Sequence, residues 1–275
     1  MFERNDTVIA ILKEKFGKDI SMFESSFLSK AIQSRMNQTR CQTIVDYTGK
    51  LIDNELELSK LMDQLTNTYS EFFRNPLTFN CLEQIILPEL FKKKESGKHK
   101  EIRIWSAACA SGQEACSITM LCDEYADFIK PGLIYRIFAT DKSPEAIADA
   151  QEGVYQSMNL NKVTLKRLQM YFTAKDDLYL ISSSIKNQID FSVFDLLSDQ
   201  DNSPPASIYG NFDLIFCSNL LFYYQPEYRK RILEKIGHNL ASGGYLVTGE
   251  AEREIIKEQN YREVFINSAI FQKRQ

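Results

Sequence analysis

Ile102 to Glu124 reads IRIWSAACASGQEACSITMLCDE, and its two ends follow different periods. Ile102 to Ser106 has the β-branched and aromatic make-up of a buried strand, whereas Gln113 to Glu124 spaces its apolar residues as a helix does. Between them stand Ala107, Ala108, Cys109, Ala110, Ser111 and Gly112, small residues that let backbone approach a ligand closely at a helix N-terminus. The segment lacks the G-x-G-x-x-G spacing of a pyrophosphate-binding turn, so a nicotinamide dinucleotide is disfavoured. Taken alone, the loop is equally a tight structural turn.

Outward from this unit the alternation continues. A strand is expected over Leu133 to Thr140, a helix over Pro144 to Gln151, and strands over Ile189 to Phe194 and Phe212 to Cys217. Helix Pro226 to Asn239 and strand Tyr245 to Thr248 follow, which predicts an α/β fold with a doubly wound parallel sheet. The rhythm lapses between Tyr155 and Asn187, where LNKVTLKRLQMYF is helix-like and Tyr179 to Ile181 strand-like. A small inserted β-rich subdomain is expected there, at about residues 156–188. Upstream, Met1 to Leu90 reads as successive helices, with Ser21 to Cys41 and Ser59 to Phe73 the clearest. The expected division is therefore an all-α domain over 1–90 and an α/β domain over 91–275, with the lysine-rich Lys92 to Lys100 as a loop between them.

The chain has 275 residues, 44% hydrophobic and 25% charged, enough for one large core or two unequal ones. No run of eighteen apolar residues occurs, and MFERNDTVIAILKEKFG is an amphipathic helical pattern rather than a signal peptide. A cytoplasmic protein without direct membrane insertion is expected. A net charge of −4 disfavours a nucleic-acid partner reached through a wholly basic surface. Cys41, Cys81, Cys109, Cys116, Cys122 and Cys217 form no C-x-x-C pair, so reduced and mostly buried thiols are expected. The two histidines, His99 and His238, are too few for a His-rich metal site or a His-centred triad. No metal is expected, and the chemistry should need no strong base.

In an open α/β sheet the ligand lies beyond the carboxyl ends of the strands, near the switch point. The second strand ends Phe138-Ala139-Thr140-Asp141, with Ser143 placed as an N-cap and Pro144 at the first helical position. An acid at Asp141 can accept from ribose hydroxyls, and Asp195, after Val193-Phe194, can accept from an adenine amino group. Either one alone reads more readily as a helix cap. Two such acids behind a small-residue loop point to an adenosyl ligand.

Several separated motifs then carry a resemblance. RIWSAACASGQEACSITM, Ala139-Thr140-Asp141, Phe212-Asp213-Leu214-Ile215-Phe216-Cys217-Ser218-Asn219 and the upstream Glu71-Phe72-Phe73-Arg74 are similar, in order, to the CheR methyltransferases. So are Ala241-Ser242-Gly243-Gly244-Tyr245-Leu246 and the Gly249-Glu250 after it, so the likeness covers nearly the whole chain. It implies a class I methyltransferase-like sheet, S-adenosylmethionine as cofactor with S-adenosylhomocysteine as product, and methylation of glutamate side chains on chemoreceptors. Carried over by position, the implied cofactor contacts are Thr68, Ser70, Arg74, Ala107, Glu114, Asp141, Asp195, Leu196, Ser218 and Asn219. Tyr223 is implied beside the reacting centre, with Phe222 and Tyr224 as core residues. Thr68, Ser70 and Asp195 replace the family's usual Asn, Thr and Asn but keep a hydrogen-bonding oxygen, while Ser218 replaces an Arg and removes a cation.

The chemistry of such a ligand suits these residues. Its carboxylate wants a cation, for which Arg74 is the candidate, and its ammonium and sulfonium want acceptors and aromatic surface, offered by Glu114 and Tyr223. A glutamate acceptor, with an ordinary pKa of about 4.3, is already a carboxylate at neutral pH and needs no general base. In-line methyl transfer then rests on orientation and desolvation. Phe27 to Gln42 contains Lys30, Arg35 and Arg40 and no acid, which makes it either a solvated helical face or the docking surface for glutamate-rich receptor helices. The inserted subdomain, which in some relatives binds a receptor tail, could serve instead. The expected partner is a chemoreceptor cytoplasmic domain or related signalling protein, with this chain a monomer. Two other readings stand beside this one: a non-catalytic S-adenosylmethionine-binding regulatory module, suggested by Thr68 and Ser218, and a small-molecule methyltransferase. Arg74, Asp141, Asn219 and Tyr223 favour activity, and the helical N-terminal part favours a protein acceptor.

Overall fold

A computed structural model of the chain describes residues 2–66, 69–96, 100–128, 134–207 and 209–274. They divide into two compact units, Met1–Asn67 with Phe222–Lys230, and Thr68–Leu221 with Arg231–Gln275.

The first unit contains α1 (Phe2–Phe16), α2 (Ser25–Thr39), α3 (Ile44–Asp53) and α4 (Glu55–Thr66). On α2 the buried residues Leu28, Ala31, Ile32, Arg35 and Met36 form one helical stripe at spacings of three and four. Position 35 thus faces inward with the apolar residues, and its guanidinium is paired there. Arg35 Nε donates to Glu57 Oε1 at 2.9 Å, and the Tyr47 hydroxyl donates to the same oxygen at 3.1 Å. Arg35 is therefore no part of a docking face, contrary to the expectation from charge alone; Lys30 and Arg40 are exposed. Thr43 and Asp46 form a capping box that starts α3, and the Asn54 side chain accepts from Glu57 N at 3.2 Å at the start of α4. The helix expected to Phe73 stops at Thr66. Residues 222–230 complete this unit, with Tyr224 buried and stacked on Phe23, ring centres 5.3 Å apart.

The second unit opens with an irregular segment followed by α5 (Pro76–Cys81), a π-helical turn (Leu82–Ile86) and α6 (Leu87–Ser96). Phe72, Phe79, Leu82, Ile86 and Phe91 lie in the same apolar cluster as Ile104, Leu214 and Phe216 of the sheet. The boundary expected at residue 90 consequently falls at 67/68. Helical periodicity runs on past that point, but the later apolar faces cover the sheet. Lys92–Ser96, expected in a loop, is the last turn of α6, in keeping with the helix preference of Lys and Glu. His99 lies outside the described residues.

The sheet begins β1 (Glu101–Ala107), α7 (Gln113–Phe128), β2 (Ile134–Asp141), α8 (Pro144–Glu152). An insertion follows, in which β3 (Val154–Gln156), α9 (Leu165–Tyr171), β4 (Phe172–Lys175) and β5 (Leu178–Ile181) make a three-stranded antiparallel sheet of order β3-β5-β4. After α10 (Ser183–Lys186) come β6 (Ile189–Val193), β7 (Phe212–Cys217), α11 (Pro226–Asn239), β8 (Leu240–Thr248), α12 (Arg253–Lys257), β9 (Tyr261–Glu263) and β10 (Ile270–Lys273). The seven-stranded sheet has the order β6-β2-β1-β7-β8-β10-β9. Its first five strands are parallel, as the doubly wound reading expects, while β10 runs antiparallel to β8 and β9 to β10. Those two strands, three and four residues long, give no alternation long enough to read. The chain lays β2 and β6 on one side of β1 and β7 and β8 on the other, so the carboxyl end of β1 is the switch point. All six cysteines are unpaired, four of them buried, and among the described residues no helix is long and apolar enough to cross a membrane.

Candidate functional site

At the end of β1 the chain turns sharply. Ala108 and Ala110 take left-handed backbone, with φ of 62° and 49°, and Gly112 follows at 88°. A Cβ on Gly112 would come within 2.9 Å of the Ala150 Cβ, so glycine is required there for space as well as for φ. The loop is tied to the end of β2: Cys109 N donates to Thr140 O at 2.9 Å, and Ala110 N donates to Asp141 Oδ2 at 2.9 Å. The other Asp141 oxygen accepts from Ser143 N at 3.0 Å, and the residue is buried.

Glu114 stands in the first turn of α7, where its Oε1 accepts from Ser106 Oγ at 2.7 Å. Burial pushes its carboxyl up to about 7, against the pull of the Ser106 and Ser218 hydroxyls and the Arg74 charge; buried Glu252 adds a push upward. Ahead of α5, Phe72 is buried edge-on against Tyr155 and Phe172, and Phe73, at φ 50°, donates its N–H to Ser117 Oγ at 3.1 Å. That packing sets the position of Arg74, whose guanidinium lies 5.5 Å from the Tyr69 ring centre. After β7, Asn219 has φ 59° and its N–H donates to Glu252 Oε2 at 2.8 Å. The same carboxylate takes Leu221 N at 2.6 Å and Gly249 N at 2.7 Å, so one buried acid clasps the loops after β7 and β8. Burial raises the Glu252 pKa, and these backbone donors oppose the rise.

These pieces border a cleft lined by Ser70, Arg74, Ala108, Glu114, Ser218 and Asn219 among others. Four non-glycine residues in left-handed backbone, Phe73, Ala108, Ala110 and Asn219, lie on or next to its wall, a concentration of strain typical of binding sites. Residues 68–270 match the family model of the CheR methyltransferase S-adenosylmethionine-binding domain. The chain belongs to the CheR family. Chemotaxis protein methyltransferase 1 of Pseudomonas aeruginosa is 32% identical over 80% of this chain and 81% of its own length. The chemotaxis protein methyltransferase of Borreliella burgdorferi is 28% identical over 89% of this chain and 86% of its own, and that of Listeria monocytogenes is 27% identical over 95% and 94%. The family is one of S-adenosylmethionine-dependent chemotaxis methyltransferases.

Against that CheR pattern, the cleft brings together Ser70, Arg74, Glu114, Ser218 and Asn219. Ala107 is buried at the end of β1, one residue before the lining Ala108. Asp141 stands behind the wall and holds the loop. Asp195 is exposed at the end of β6, the strand beyond β2, and its Oδ1 accepts from Leu197 N at 2.8 Å; Leu196 beside it is buried. Neither lines the cleft. Thr68 lies outside the described residues. Tyr223 belongs to the first unit, its ring 4.7 Å from that of Phe27 and 4.3 Å from that of Phe222. The motif resemblance names Glu250, whereas the clasping acid is Glu252, a carboxylate three residues after Gly249. Tyr69, Asn75 and Thr78, which no motif singled out, also line the wall. The donor set suits S-adenosylmethionine: a cation and a recessed carboxylate share one cleft, as its carboxylate and ammonium require, and an arriving ammonium would favour the ionised form of Glu114.

Proposed function

We propose that the chain methylates glutamate side chains of a chemoreceptor cytoplasmic domain, leaving glutamate methyl esters and S-adenosylhomocysteine. S-adenosylmethionine, when bound, supplies the methyl group. The chain's own residues bind and orient: Arg74 takes the amino-acid carboxylate, Glu114 the ammonium, and the Ala108 to Gly112 turn gives room for close approach. Asp141 and Asp195 are assigned to the ribose and adenine ends and Thr68 to the cofactor, and Tyr223 to orienting the acceptor, each on the family resemblance. A glutamate acceptor arrives ionised, so no side chain has to remove a proton. The observation that carries the reading is the opposite-charge pair Arg74 and Glu114 in one cleft of a CheR-family chain.

The substitution at Ser218 does not empty the site, because its hydroxyl is among the groups that hold the Glu114 carboxylate. Incubation with labelled S-adenosylmethionine and purified receptor cytoplasmic domains should give base-labile label on glutamate. Binding of the cofactor without label on any such domain would instead support the regulatory-module reading.

A further inference from the structure

Residues 69–75 form the irregular lip of the cleft and carry Arg74. Phe72 and Phe73 fix it from the core side. From the other side a residue of the inserted subdomain reaches over it: Lys162 Nζ donates to Glu71 Oε2 at 2.6 Å and to the Arg74 carbonyl at 3.0 Å. Glu71 also accepts from the Tyr69 hydroxyl, and the Tyr69 ring lies against the Arg74 guanidinium. Lys162, Glu71, Tyr69 and Arg74 therefore close a ring of contacts around the lip. The Lys162 contact is the main cause that holds the Glu71 carboxyl below its ordinary range. Lysine and arginine repel, so Lys162 meets Arg74 through the backbone carbonyl, where it governs the position of residue 74 without competing for an anion.

We propose that Lys162 is a positioning residue for cofactor binding, aiming Arg74 into the cleft by pinning Glu71 and the Arg74 carbonyl. The inference rests on the reading that this cleft takes S-adenosylmethionine. It makes the inserted subdomain part of the cofactor site rather than a separate appendage. Lys162 is 41% exposed at the side chain, so solvent screens the pair and the effect is modest.

The test compares two ligands on the full chain: S-adenosylhomocysteine, and 5′-methylthioadenosine, which keeps the nucleoside and thioether but has no amino-acid carboxylate. Lys162→Met should weaken S-adenosylhomocysteine by about two- to five-fold. It should leave 5′-methylthioadenosine and the melting temperature unchanged, and Lys162→Arg should restore most of the affinity. Arg74→Met should weaken S-adenosylhomocysteine more, and adding Lys162→Met to it should change nothing further. Loss of affinity in Arg74→Met but not in Lys162→Met overturns the proposal and leaves the cofactor reading standing. Equal loss of both ligands in Lys162→Met also overturns it, because Lys162 would then be a general support of the fold. If the unaltered chain fails to bind S-adenosylhomocysteine, the cofactor reading itself falls.

Discussion

Glu114 is the residue whose protonation should be visible in binding. Burial places its carboxyl at about 7, so on the acid side of that value a ligand ammonium that needs the carboxylate must displace a proton. S-adenosylhomocysteine affinity should rise about five-fold between pH 6 and 7, about two-fold more by pH 8, and flatten above. Calorimetry in buffers of different ionisation enthalpy should show the released proton, and Glu114→Gln should bind more weakly with a flat profile. For folding the sign is opposite. The folded pKa lies above the ordinary 4.5, so the folded chain holds this proton more tightly and loses stability as pH rises from about 4.5 to about 7. Glu114→Gln should therefore raise the melting temperature of the ligand-free chain at pH 8 while lowering affinity. A wild-type affinity that is level across pH 6 to 8 would remove Glu114 from ammonium binding.

At the scale of elements, Asp141 joins the β1 loop to the start of α8. Read as an acid after a strand, it was a ribose acceptor or a cap; in the fold both oxygens already accept backbone N–H groups, from Ala110 and Ser143. Asp141→Ala strands two donors at a buried position and should reduce stability by about 1–3 kcal/mol. Affinity for S-adenosylhomocysteine should fall with it, because Ala108 and Ala110 line the cleft. Denaturant unfolding and calorimetry on the same variant check this. Weakened binding with unchanged stability would make Asp141 a ligand acceptor alone. The acid and the small-residue loop were legible because strand ends and turn residues are local signals. That the two meet depends on the parallel pairing of β1 with β2, in which Ala107 lies opposite Thr140.

For the molecule as a whole, charge on α2 and at its C-cap Arg40 has two meanings. Lys30 and Arg40 are exposed, and we expect Lys30→Glu with Arg40→Glu to raise the KM for a receptor domain, most at low salt, with cofactor affinity unchanged. Arg35→Met should act on the fold, because it leaves Glu57 buried without its cation, a change that costs about 3–5 kcal/mol. Replacing Glu57 by Met as well should recover part of that loss. Methyl-transfer kinetics across a salt series and thermal melting separate the two; a KM indifferent to the Lys30 and Arg40 reversals would remove this helix from docking. Arg35 could have been separated from its neighbours by period, since 28, 31, 32, 35 and 36 fall on one face. Composition counted the cation without asking where the helix turns it.

The α/β order, the strand from Ile102, the small-residue turn before the helix at Gln113 and the family motifs were all readable, because each is set by neighbours within a few residues. The division at 67/68 was not, since helices on either side of it share one period and differ only in which apolar surface they meet. Nor were the β9 and β10 edge, the Glu252 clasp and the Lys162 bridge to Glu71, whose partners stand 91 positions apart in the chain. Periodicity and turn chemistry are short-range properties of a chain, whereas a buried carboxylate or a surface lysine acquires its role from the groups that folding brings within about 3 Å of it.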